Sequence, residues 1–172
     1  MASLMENLML ILENEVSEYE NLVVLSTQKT PVIIQGDLNA LQKITDEEQI
    51  VASRINHLDN KRREVIQDIA NVVNRDVEDL ILTNIIQMLE PRPAEQQKLA
   101  KVHDRLKTVV HQVRQVNEQN RDLILNALEM IEFDINMFQA MKAAPETANY
   151  NKGAYSAGSV IGVSRNGFDA KQ

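Results

Sequence analysis

The feature that most constrains this chain is a seven-residue repeat in its second quarter. With Leu41 at position a, the a positions are Leu41, Glu48, Ile55, Arg62 and Ile69, and the d positions are Ile44, Val51, Leu58, Val65 and Val72. Eight of these ten residues are apolar, the pattern of a helix holding one narrow seam against a neighbour in left-handed coiled-coil packing. At 1.5 Å per residue such a helix is about 50 Å long. "TDEE" at Thr45 to Glu48 has the form of a capping box, but the seam runs unbroken on both sides of it.

The rest of the chain reads as helix too. Leu4, Leu8, Leu12, Val16, Tyr19 and Val23 form one stripe, spaced for an amphipathic helix. Pro31 removes a ladder hydrogen bond, so a kink or a broken last turn is expected there. Gly36 suits a left-handed C-terminal cap and Asp37 the next N-cap, making "QGDLNAL" a tight reversal. After it, Val77, Leu80, Ile81, Asn84, Ile85 and Met88 form a shorter stripe, with Asn74 as its cap. "EPRPAEQ" stops that helix, and Pro93 fits the first turn of the next.

The last seam passes through Leu99, Val102, Leu106, Val109, Val113 and Val116. It continues by Asn120, Ile124 and Leu128 to Ile131, Ile135 and Phe138. The steps of four after Val116 are a stutter, and Asn120 is a polar residue inside the seam that fixes register. The spacing predicts helices over 3–35, 38–73, 76–90 and 94–142 as one domain, 1–142, followed by a flexible tail, 143–172. The fold class expected is all-α: an elongated antiparallel bundle or coiled coil of long helices with a glycine-rich C-terminal tail. Extra apolar residues beside the seams (Ile33, Ile34, Ile81, Ile85, Leu123, Leu125, Met130 and Met137) mark helices packed on two sides, or a groove for a partner's helix.

Composition narrows the function. Aromatic residues make up 3% of the chain and tryptophan is absent, so the core is aliphatic. Having no cysteine excludes a disulfide scaffold and a thiolate site. Residues 1–50 hold nine acids and two bases, and residues 51–142 hold fourteen and thirteen. An acidic chain without a basic stripe repels a phosphate backbone, so no nucleic-acid partner is expected. The run "LMLIL" at Leu8 to Leu12 is flanked by Glu6 and Glu13 and falls far short of a membrane span of ~18 residues. The reading is a soluble protein without direct membrane insertion.

Catalytic signatures are missing. His103 and His111 lie eight residues apart, but the positions three before His57, His103 and His111 are Arg54, Ala100 and Thr108, not the glutamates of a di-iron bundle. "GAYSAGSVIG" lacks the lysine of a phosphate loop. No metal or cofactor is expected, and no enzymatic activity.

The long first helix, the "GDLNAL" reversal, the acidic "ITDEEQ" leading into a heptad helix, the long last helix and the glycine-rich "YNKGAY" together resemble the FlgN family of flagellar type III export chaperones. Pro31 departs from a straight first helix. The resemblance covers nearly the whole chain. It implies a cytoplasmic, non-catalytic chaperone that binds the C-terminal amphipathic region of hook-associated (hook–filament junction) proteins, prevents their premature assembly and delivers them to a membrane export-gate component. The client-binding residues it implies are Ile131, Ile135, Phe138 and Met141 in the late helix and Val160, Ile161 and Val163 in the tail. Export-gate docking falls to Tyr150, with Tyr155 its rival.

The tail holds four of the five glycines and three of the six aromatic residues. It suits a latch over the client groove, and equally an ordinary unstructured terminus. A non-catalytic coiled-coil scaffold or adaptor is the alternative function, and the seams leave room for a homo-oligomer.

Overall fold

The computed structural model describes residues 2–143. Among them the regular structure is helical throughout: α1 (Ala2–Gln35), α2 (Leu38–Val73), a 3-10 turn (Val77–Asp79), α3 (Leu82–Met88) and α4 (Pro93–Ala143). The chain is all-α. It divides into two compact units, Met1–Ile131 and Glu132–Gln172. Tyr150, Tyr155, Val160, Ile161 and Val163, and with them the glycine-rich tail, lie outside the described residues.

In the first unit the reversal between α1 and α2 is built by capping. Gly36 has φ +69°; its N–H donates to the Ile33 carbonyl at 3.1 Å, and that of Asp37 donates to the Val32 carbonyl at 3.2 Å. This pair of bonds is the Schellman motif, which satisfies two orphan carbonyls of α1. The Asp37 carboxylate then accepts from the Ala40 N–H at 3.0 Å and starts α2. Pro31 does not break α1, which runs past it to Gln35, so the expected broken turn is corrected. One lost hydrogen bond near a helix end is outweighed by burial of Ile33 just beyond it.

Cross-helix pairs fix direction and register. Glu15 meets Arg62 and Glu18 meets Arg54, while Ser26 and Lys29 meet Glu48, so α1 and α2 are antiparallel. Glu20 meets Arg105, and Ser26 and Thr30 meet Asn120, so α4 runs parallel to α1. The core lies where the start of α1, the end of α2 and the start of α4 come together. Leu8, Leu12, Ile69, Ile85 and Leu99 are buried there almost completely, each contributing about 1.5–3 kcal/mol of transfer free energy.

The connection between α2 and α4 differs from the single helix predicted over 76–90. Leu80, Ile85 and Leu89 all reach the core. In an unbroken helix Leu80 and Ile85 point about 140° apart. The chain therefore leaves helical geometry at Leu80 and Ile81 and brings both side chains to one side. Asn74 does not cap the 3-10 turn or α3; it closes α2 in the left-handed conformation, φ 52°.

The described part of the second unit, 132–143, comprises the last turns of α4. All of its side chains are exposed.

Candidate functional site

Two polar interruptions of the α2 seam have partners waiting on α1. At one, the Ser26 hydroxyl donates to Glu48 Oε1 at 2.8 Å and Lys29 Nζ to Glu48 Oε2 at 2.7 Å. The same layer holds Asn120, whose Nδ2 donates to the Ser26 carbonyl at 2.7 Å while its Oδ1 accepts from the Thr30 hydroxyl at 2.7 Å. Asn120 is 4% exposed, so these bonds decide its placement: a buried amide left unpaired costs about 1–3 kcal/mol.

The other interruption is Arg62. It donates to Glu15 Oε2 at 3.1 Å and also pairs with Asp59. Glu15 is 2% exposed, and its Oε1 has no hydrogen-bond partner among the described residues. Burial pushes the Glu15 carboxyl above its ordinary value; Arg62 opposes this and the Asp59 charge reinforces it. The Tyr19 hydroxyl is raised too, by burial first and then by the Glu15 charge.

Between α1 and α2 the described residues form two grooves, and neither joins catalytic groups by hydrogen bonds. Open grooves of about 400 and 510 Å³ run between α1 and α2. The larger is lined by Glu18 from α1 and by Ser53 and His57 from α2. Glu18 is instead paired with Arg54 at 3.0 Å, and among the described residues no hydrogen bond joins His57 to Ser53 or Glu18. Nor do three or more His, Asp or Glu side chains converge there as a metal site would require.

What the first unit does present is an unfinished seam. Asn120 lies level with Ser26 and Thr30, and α1 ends five residues after Thr30, at Gln35. α4 therefore outlasts α1 from about residue 125. The first large exposed apolar side chain of that stretch is Leu125, followed by Leu128, Met130 and Ile131. In the second unit Phe133, Ile135, Met137, Phe138 and Met141 are exposed as well. Ile131, Ile135, Phe138 and Met141 are 55%, 51%, 61% and 67% exposed.

Reading Ile131, Ile135 and Phe138 as a resumed internal seam is thus corrected. Their spacing is that of a seam, but no described helix covers them. Phe133 was missed by the sequence reading, although its spacing from Met130 and Met137, three and four residues, is a helical signal. Of the extra apolar residues, Ile33 and Ile85 are buried, whereas Ile34, Ile81, Leu125, Met130 and Met137 are exposed. His57 and His111 are exposed, and His103 is half-buried beside Asp104.

A family model described as "FlgN protein" matches residues 1–156. The chain belongs to the FlgN family. No curated protein matches it, and no solved structure does. FlgN proteins are flagellar export chaperones, not enzymes, and membership gives this chain that general role, with flagellar proteins as its partners. Among the described residues no helix is long and apolar enough to cross a membrane.

Proposed function

We propose that this FlgN-family chain is a cytoplasmic chaperone of hook-associated proteins, which it holds by their C-terminal amphipathic region and delivers to the membrane export gate. The observation that carries the reading is the exposure of four apolar side chains late in α4: Ile131 at the end of the first unit, and Ile135, Phe138 and Met141 in the second. Exposed apolar side chains at helical spacing accept an amphipathic helix from another chain. Methionines such as Met141 adapt to more than one such helix. A filament subunit awaiting export has the complementary problem, because its own apolar stripe self-associates unless covered. Covering the stripe needs no covalent chemistry, in keeping with a family of chaperones.

Val160, Ile161 and Val163 extend the client contact in this reading. Tyr150 docks at the export gate, with Tyr155 as the second candidate; both assignments rest on the family resemblance.

The test is calorimetry with a purified hook-associated protein, intact and lacking its C-terminal region. Binding to the intact protein alone is the expected result. Equal binding to both forms, or to neither, overturns the assignment of client. A stable homo-oligomer in sedimentation, indifferent to the client, favours the scaffold instead.

A further inference from the structure

Within the first unit, the groove between α1 and α4 carries opposite charge on its two walls. It consists of two adjoining hollows of about 500 and 440 Å³, both lined by Lys101 and Arg105. Glu6, Glu13 and Glu20 line the α1 wall at intervals of seven residues, which sets them in one row along that helix. Lys98, Lys101 and Arg105 line the α4 wall, with Asp104 beside them. Between the rows lie Leu10 and Val102. Leu10 is 56% exposed, whereas Leu8, Ile11 and Leu12 on either side of it in the sequence are buried. Glu20 and Arg105 pair across the groove at 2.9 Å. Among the described residues, Glu6, Glu13, Lys98 and Lys101 make no ion pair.

We propose that this face binds the same face of a second copy of the chain, about a two-fold axis parallel to the helices. Charge selects that occupant. The chain carries a net charge of -7, so two copies repel over most of their surface, but this face holds both signs in nearly equal number. Because α1 and α4 run parallel, such an axis lays each α1 over the other copy's α4 at the same height. Glu6 and Glu13 then face the basic row of the second copy, and symmetry repeats every pair. An axis across the helices lays α1 on α1 and sets acids against acids, which is unfavourable. A partner of a single sign meets a like-charged wall whichever way it lies. Leu10 leaves water in the same contact. The face spans residues 6–20 and 98–112, about 21 Å of each helix. That is small beside stable interfaces, and its exposed ion pairs are individually weak and screened by salt. The dimer is therefore reversible. None of these residues is among those assigned to the client, so the dimer goes beyond the chaperone reading and does not depend on it.

Sedimentation of the full-length chain without client, over a range of concentrations at low and high salt, tests the pairing. A reversible dimer is expected, weakened roughly tenfold or more by high salt. Two double variants go further: E6K with E13K puts bases on the α1 wall, and K98E with K101E puts acids on the α4 wall. All four positions are exposed, and circular dichroism checks that helicity is retained. Each variant alone should stay monomeric where the native chain dimerises, because its two walls now share a sign. Mixing the two variants should restore a dimer, because every wall then meets its opposite. A dimer indifferent to salt, or a mixture that stays monomeric, overturns the proposal. A native chain that is monomeric throughout also overturns it, and leaves the face to another protein's helix bearing both signs. No client is present in these measurements, so their failure is distinct from failure of the chaperone reading, which calorimetry with the client decides.

Discussion

Glu15 shows how a single side chain records the cost of a polar residue inside a seam. Its carboxylate has one guanidinium partner, Arg62, and one oxygen with none among the described residues. Burial therefore raises its proton affinity above the ordinary value of 4.5. Below pH 4.5 both folded and unfolded chains hold this proton, and the Glu15 contribution to stability is whole. As pH rises through the raised folded value, the folded chain gives up a proton that it binds more tightly than the unfolded chain does, and stability falls. In urea unfolding at steps from pH 4 to pH 7.5, the stability of the native sequence relative to Glu15→Gln should decline, because the difference between the two curves isolates this one group. A difference that does not change with pH contradicts the account. Asn120 has the opposite character: both ends of its amide are paired, so it sets register between α1 and α4 without an orphaned atom.

The reversal between α1 and α2 is where sequence and structure agree best, because its capping is local chemistry. Gly36 and Asp37 were legible since only their own backbone and that of the preceding turn determine what they do. Gly36 has φ +69°, and an added Cβ there meets nothing within 4 Å. Gly36→Ala should therefore cost about 1 kcal/mol through backbone strain alone, visible as a lower urea midpoint with an unchanged slope. A neutral substitution shows that the reversal has another conformation open to it. The break at Leu80 was not legible, because it depends on Leu8, Leu12 and Ile69 being near enough to bury Leu80 and Ile85 together. The bare seam was half legible. The spacing of Ile131, Ile135 and Phe138 announces a partner helix, but a heptad pattern is the same whether that partner belongs to this chain or to another. What decides between them is where α1 stops, and the register of Ser26 and Thr30 against Asn120 sets that point. Phe133 was missed because the seam itself already accounted for one apolar line.

Across the first unit, burial is graded along the helices, and stability should track it. Leu8, Leu12, Ile69, Ile85 and Leu99 join one continuous core, with Leu80 and Leu89 packed into it from the connection. Toward the reversal, Leu41 and Ile44 are only half-buried, Ile34 and Leu38 are exposed, and the buried Ser26 and Asn120 are polar. Regions with few buried apolar contacts open at lower free energy than the core. Native-state amide exchange should therefore be slowest over 8–16, 65–70 and 99–109, and faster over 30–45. A chaperone must gain and lose its client many times without unfolding, so the segment that binds should not be the segment that holds the fold. Adding the C-terminal region of a hook-associated protein should slow exchange at 124–131, where α4 has outlasted α1, and leave 99–109 unchanged. If exchange at 99–109 changes with it, client binding and the core are coupled, and the division of α4 between holding the bundle and holding a client is wrong.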